Sequence, residues 1–531
     1  MTDRRNFRLD LSRRHALKAF GGAAFFGLAM GAPTRLIAHP TFNEYPFQLG
    51  VASGDPAPDG FVIWTRLAPQ PFERGYGMPV DAVEVDYQVA ADRGFREMVA
   101  QGKAIARPEL GHSVHVELAG LAPDHDYYYR FFAGSERSLT GRARTTPALG
   151  ASVDRLRFAV AGCQAFEQGY YTAWRHLAAE NPDFVYCYGD YIYEYRGNRV
   201  WNGPDGPVEN IRQSNGAEIQ TIADYRRRYA EAKMDVDLQA AHAAAPWVSV
   251  WDDHEIDNNW VSHIDQDGTP AAIFQLRQQM AMQAYYENMP LRASSLPVGP
   301  QMQIFRRMPW GNLADVSLLD TRQFRTDQPC GDRWPAGCDE IDRRDADVLG
   351  QRQLDWLVGN MSRSDATWQV LAQQIMMMDL DRAPDEPGLQ VNADSWAGYR
   401  VPRAALLDEL SKRGLDSTIV LTGDEHQHYA GNLYRDGTDR SGAPIATEFV
   451  ATSISSGGDG EVQRRDMVAI QAANPQLVFN NSQRGYCVCE VTPDQWTTHH
   501  RVLDKVTTRG APVTTAASFA VAPGRPGVQA A

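Results

Sequence analysis

Four apolar runs in this 531-residue chain each end on side chains that bind metals or carry protons. RFAVAGCQ delivers Cys163, and FVYCYGDYIYE delivers Asp190 and, three residues on, Tyr193. WVSVWDDHEIDNNW carries Asp252, Asp253 and His254, and STIVLTGDEHQH carries Asp424 and His426. The runs read as buried strands, and open α/β sheets place their chemistry at the carboxyl ends of such strands. A thiolate, a phenolate, carboxylates and an imidazole gathered there describe a metal centre.

The donor types suggest which ions. Cys163, Asp190 and Tyr193 bring several negative charges to one ion, which favours trivalent Fe3+ over a lone zinc. His426 completes that shell. Asp253 and Asp424 add oxygen donors for a second, harder ion such as Ca2+, with Mn2+, Mg2+ or Zn2+ as alternatives. Two ions about 3.5–4 Å apart, bridged by one carboxylate, activate water and clamp the oxygens of an in-line displacement. Asp190 is the expected bridge. His254 directly follows a ligand and is placed to stabilise phosphoryl oxygens or protonate a leaving group. Arg322, in LLDTRQFR, is expected to grip phosphate in a bidentate contact, with an ion pair to Asp320 as the structural alternative.

The elements that must position these residues change character along the chain. Residues 1–38 carry Ser12-Arg13-Arg14-His15-Ala16-Leu17-Lys18 and then a Gly/Ala-rich apolar stretch. This resembles a twin-arginine export signal and is too short to span a bilayer comfortably. It implies the twin-arginine machinery as a partner and a periplasmic or extracellular location. Residues 45–148 alternate apolar and polar positions, as in VEVDYQV, and read as an all-β sandwich. LAPDHDYYYRF within them looks like the tyrosine corner of fibronectin type III domains. From 154 to 510 strand-like and helix-like runs alternate, which gives an α/β domain. Residues 511–531, rich in Ala, Pro, Thr and Gly, read as a loose tail.

Charge and cysteine content narrow the classes further. A formal net charge of −14 argues against a nonspecific nucleic-acid surface, and no later segment is apolar enough for a membrane span. Six cysteines are too few for a disulfide scaffold. Cys330 and Cys338 flank a short loop and can pair. Cys487 and Cys489 share one face of a strand but lie too far apart to bridge. His428 is expected as an outer support, and His499-His500 as structural.

GCQ, GDYIYE, WDDHE, LDTRQ and GDEH, in this order behind an export signal and a fibronectin-like domain, resemble the PhoD-type alkaline phosphatase family. That family belongs to the calcineurin-like metallophosphoesterases and is related to purple acid phosphatases. The resemblance implies a metallophosphoesterase sandwich of two mixed sheets flanked by helices. It also implies an iron–calcium centre and hydrolysis of small phosphate monoesters, diesters or both at alkaline pH. Asp190 and Tyr193 match the family's D-x-x-Y element. Cys163 stands where most of the superfamily carries Asp, Asp253 replaces the ligand Asn of N-H-E/D, and Asp424 replaces the first His of G-H-x-H. Two further expectations compete: a phospholipase D-like or cell-wall phosphodiesterase, and a non-catalytic periplasmic binding module with structural metals.

Overall fold

The computed structural model describes residues 35–531 apart from 204, 205, 215, 438, 439 and 441. The expected export signal therefore lies outside the described residues up to position 34. Leu36–Ile37, assigned to that signal by sequence, pair instead with Ala82–Val83 at the edge of an N-terminal sheet.

Two large sheets form the body. One has ten strands, and three of them, Leu156–Ala161, Phe184–Cys187 and Pro246–Ser249, run parallel side by side. The other has seven strands, in which Ala314–Leu318, Trp368–Ala372, Thr418–Thr422 and Ala446–Val450 are parallel neighbours. Both are mixed sheets, closed on their flanks by antiparallel strands. Their facing sides share one core, in which Phe158, Val160 and Tyr186 meet Val316, Val370 and Leu421. These strands are apolar on both faces because helices cover the outer sides. Gly350–Met361 and Arg400–Lys412 bury Leu357, Leu406 and Leu410 against Leu371 and Val420 of the seven-stranded sheet. Thr172–Ala179 and Val236–Ala244 cover the other outer face.

The N-terminal region has its own core, built on Phe61, Ile63, Val83, Val85, Tyr129 and Phe131. Its boundary is less sharp than the sequence suggests. Val51–Ala57 pairs in parallel with Pro246–Ser249, so three strands of the N-terminal layer continue the ten-stranded sheet. Tyr127 folds back on its own loop, its hydroxyl accepting from the Ala122 amide at 2.9 Å. Cys330 and Cys338 form a disulfide.

The tail expectation fails. Val513–Ala522 and Arg525–Ala530 are strands that extend the ten-stranded sheet through Trp496–Leu503. Composition hides this because most side chains there are small; Phe519 and Val521, two apart, are the buried ones. The second domain thus runs to the end of the chain rather than stopping at 510. Truncation after Gly510 is expected to lower stability by about 4 kcal/mol from the burial of these two side chains alone. Thermal denaturation checks this; an unchanged melting temperature would restore the loose-tail reading.

Candidate metal centre

Every motif of the sequence lands at the same edge. Cys163 follows the strand ending at Ala161, Asp190 follows Cys187, Asp252 and Asp253 follow Ser249, and Asp424 follows Thr422. The backbone bends sharply at each tip. Cys163, Asp190, Asp424 and His426 all adopt the left-handed region, with φ of 51°, 54°, 64° and 54°. Such conformations cost non-glycine residues about 1–3 kcal/mol and persist where the surroundings over-determine them. Here the surroundings are explicit. The Cys163 amide donates to the Gly189 carbonyl at 3.0 Å, and the Gln164 amide to the Asp190 carbonyl at 3.0 Å. Glu255 receives the amides of Asp190, Tyr191 and Asp252 at 3.1, 2.6 and 2.9 Å. One buried carboxylate thereby ties together the two loops that carry Asp190 and Asp252-Asp253.

Tyr188 explains the glycines. Its ring fills the space where a Cβ on Gly162 or Gly423 would lie, at 2.5 and 2.0 Å respectively. The residues before Cys163 and Asp424 must be glycine for the two strand ends to close on that ring.

Three donor sets converge, each with its ligand atoms within 4.8 Å of one another: Cys163 with Asp190 and His426, Asp190 with Asp253 and His254, and Asp252 with Asp253 and Asp424. Tyr193 joins the first, its hydroxyl 2.8 Å from Asp190 Oδ2 and 3.1 Å from His426 Nε2. Ser456 Oγ lies 2.7 Å from the same phenol and donates to the Cys163 carbonyl at 2.8 Å. Oδ1 of Asp190, Oδ2 of Asp252 and Oδ1 of Asp253 are buried without a hydrogen-bond partner. Buried, unpaired carboxylate oxygens are costly.

The electrostatics call for cations. Burial and mutual repulsion push Asp252, Asp253 and Asp424 above the usual carboxylate range, against the pull of Arg322. Burial beside Asp190 takes Glu255 up to about 8. Burial, reinforced by Asp190, Asp252 and Asp424, holds the Cys163 thiol well above its ordinary value, and burial with Asp190 does the same to the Tyr193 phenol. Burial opposes ionisation of Asp190 too, but His254, His426 and the Tyr193 hydroxyl hold it below the usual range. The donor set and its orphaned oxygens fit bound metal ions.

His254 forms part of the floor of an open cavity of about 790 Å³. Its Nδ1 lies 2.7 Å from Glu194 Oε2, and its ring packs on Tyr193 with centroids 4.2 Å apart. Burial would lower its pKa, but Asp253, Glu194 and Asp190 overcome this and raise it well above the usual value. A second cavity, of about 470 Å³, adjoins Asn392, Asp394 and Asp424. Glu425, Gln427 and Arg464 line both.

Residues 158–500 match the PhoD-like phosphatase family, and residues 32–147 match the PhoD-like phosphatase N-terminal domain. The chain belongs to the PhoD-like phosphatase family. It is 47% identical over 482 residues to alkaline phosphatase D of Bacillus subtilis (strain 168), covering 91% of this chain and 82% of that protein. The solved structure of PhoD superposes with a TM-score of 0.89 at 46% identity, over 92% of this chain and 93% of that one. This PhoD-like phosphatase is therefore a phosphoric ester hydrolase, and the expectation of a non-catalytic binding module falls.

All six expected metal ligands of the phosphatase, Cys163, Asp190, Tyr193, Asp253, Asp424 and His426, meet at this edge. Arg322 does not take the expected role. Its guanidinium is fully enclosed, bound to Asp252 at 2.7 Å and Asp394 at 2.7 Å, and lines neither cavity. It balances the carboxylates instead of gripping phosphate. Its link to Asp320 runs through its backbone amide, not the side chain. Asp252, Glu255, Glu194, Asp394 and Ser456 were not assigned roles by sequence. Asp252, Glu194 and Glu255 sit inside the recognised motifs, and the Ser-Ser-Gly-Gly run after ATEFVAT marks Ser456; nothing marks Asp394.

Gly423→Ala is expected to force the Tyr188 ring out of place. Stability should fall by about 1–3 kcal/mol and phosphatase turnover by more than tenfold, measured by thermal melting and steady-state kinetics. Glu255→Ala strands three buried amides at about 1–3 kcal/mol each, so the variant should melt far below the parent. A near-parent melting temperature would remove Glu255 as the tie between the loops.

Proposed function

We propose that this chain is an exported, metal-dependent alkaline phosphatase and phosphodiesterase acting on small phosphate esters by in-line displacement. The observation that carries the reading is the run of donor sets sharing Asp190 and Asp253 at the floor of an open cleft. Structural metal sites are closed, whereas this one borders two cavities. Ionising the Cys163 thiol and the Tyr193 phenol in this buried, acidic setting requires a strong Lewis acid, which favours Fe3+ there. The all-oxygen set of Asp252, Asp253 and Asp424 favours Ca2+, with Mn2+, Mg2+ or Zn2+ as alternatives.

When bound, the ions supply an activated water and neutralise charge on the phosphoryl oxygens. The chain's own residues do the rest. Glu194 holds His254 in one orientation, with Nε2 3.9 Å from Asp253 Oδ2, and at the cleft wall the cationic imidazole donates a proton to the leaving alkoxide. Asp190 belongs to both the Cys163 and the Asp253 donor sets and would be the carboxylate that holds both ions. The two cavities either side of Glu425 give a diester room for one organic group in each, which favours phosphodiesters, including a phospholipid or cell-wall diester. The twin-arginine motif supports export of the folded protein to the periplasm or beyond. The Tyr127 corner supports a fibronectin type III-like N-terminal layer, and the paired mixed sheets support the metallophosphoesterase fold.

Hydrolysis of p-nitrophenyl phosphate and bis-p-nitrophenyl phosphate tests the reading. Asp190→Ala and Cys163→Ala should each lose more than ~100-fold in turnover while remaining folded, beyond what loss of an outer-shell partner costs. His254→Ala should lower kcat by about 10²–10⁴-fold with a smaller change in KM. Thorough calcium chelation should abolish turnover reversibly and lower the melting temperature, because the ions bind only the folded state. Full activity in a colourless, iron-free, chelator-treated preparation would overturn the assignment.

A further inference from the structure

A second group of metal-binding side chains lies outside the cleft. His428 begins the strand His428–Leu433 of the seven-stranded sheet. Cys487 and His500 face each other as registered partners on Gly485–Val491 and Trp496–Leu503 of the ten-stranded sheet. All three are buried in the shared core between the sheets, His428 and His500 with no exposure at all.

Their donor atoms converge. His428 Nδ1 and His500 Nδ1 are 3.1 Å apart, and Cys487 Sγ lies 3.6 Å from the first and 3.4 Å from the second. Donors around one ion with metal–nitrogen bonds of about 2.0–2.1 Å and a metal–sulfur bond of about 2.3 Å lie roughly 3.3–3.8 Å from each other. The triangle therefore needs only a small expansion to close on a cation.

Proton accounting points the same way. His428 Nε2 lies 3.2 Å from the Arg501 carbonyl, which holds the proton on Nε2 and leaves Nδ1 an acceptor; in this structure it takes the Thr452 amide at 3.2 Å, a bond that an ion would replace. A backbone carbonyl holding the distal nitrogen is the usual support of a ligating histidine. His500 Nε2 is buried without a partner, among the rings of Phe449, Phe479 and Phe519. If His500 Nδ1 carried the proton to bond His428, a bare Nε2 lone pair would face those rings. With the proton on Nε2, an N–H faces the aromatic rings, a favourable arrangement, and a second lone pair joins the first at the centre.

We propose that His428, Cys487 and His500 form a structural site for one soft d-block ion, Cu+ or Zn2+, separate from the phosphatase centre. Two imidazoles and a thiolate, with no fourth His, Cys or carboxylate donor beside them among the described residues, suit Cu+ best, and Zn2+ next. The ion staples the two sheets together beneath the active edge. Thr452 links the two places: its amide reaches His428 Nδ1 at 3.2 Å, and its hydroxyl donates to the His426 carbonyl at 3.1 Å. A metal-free triad, hydrogen-bonded through that amide, is the competing arrangement.

The test is metal content per chain of the full-length protein, produced in medium replete in both copper and zinc and measured by elemental mass spectrometry. The parent is expected to carry about one equivalent of copper or zinc that survives in Asp190→Ala. Cys487→Ala and Cys487→Ser should lose it while retaining the parent's iron. Cys487→Ser preserves core volume and serves if Cys487→Ala does not fold. Separate copper-only and zinc-only cultures identify the ion. No copper or zinc in the parent, or equal content in parent and Cys487 variants, overturns the site and leaves the hydrogen-bonded triad.

Discussion

Buried negative charge is the constraint on which the active edge depends. Asp190, Asp252, Asp253 and Asp424 are gathered at strand ends with water largely excluded, and among the described residues Arg322 is the one guanidinium that reaches three of them. Arg322 and a cationic His254 do not neutralise four carboxylates, and several of their oxygens have no hydrogen-bond partner. Such a cluster is tolerable only with further positive charge between the side chains. The surrounding architecture follows from that need. Asp394 holds Arg322 from behind and is held in turn by Arg325 and by Gln328 at 2.9 Å, so the guanidinium cannot swing toward the cleft. With the proposed ions absent the edge would repel itself, so on this reading metal binding and local order are coupled.

The second constraint is geometric. Strand ends diverge unless something pulls their tips inward. Tyr188 does so by packing between Gly162 of one sheet and Gly423 of the other, while its hydroxyl donates to the Thr452 carbonyl at 2.8 Å. Glu255 does so between neighbouring tips of the ten-stranded sheet. The left-handed conformations at the ligand residues are the local consequence: the chain turns abruptly to aim side chains from two sheets at a shared volume. One step further out, Glu194 fixes the orientation of His254, the residue proposed as the proton donor.

The convergence of these side chains was legible in the sequence because the candidate ligands sit in short, ordered motifs at the ends of apolar runs. Strand–tip–ligand patterns such as GCQ and GDEH keep their meaning without knowledge of the fold. The illegible parts depend on contacts between distant segments. Nothing local distinguishes Arg322 as a charge balancer from Arg322 as a phosphate clamp; the difference lies in Asp252 and Asp394, 70 and 72 residues away. The helix Arg465–Ala473, beside Arg464 on the cleft rim, has no strong amphipathic signature, and the C-terminal hairpin is concealed by its small residues. The three-residue group at His428, Cys487 and His500 is split between two sheets, so its histidines read singly as structural.

Anomalous diffraction from crystals of the active, natively loaded protein tests the shared-cation claim most directly. Iron-edge data should place one strong peak among Cys163, Asp190, Tyr193 and His426, and longer-wavelength data should place a calcium peak among Asp190, Asp252, Asp253 and Asp424. Active crystals with no anomalous density between these side chains, or with the ions bound elsewhere, would contradict it.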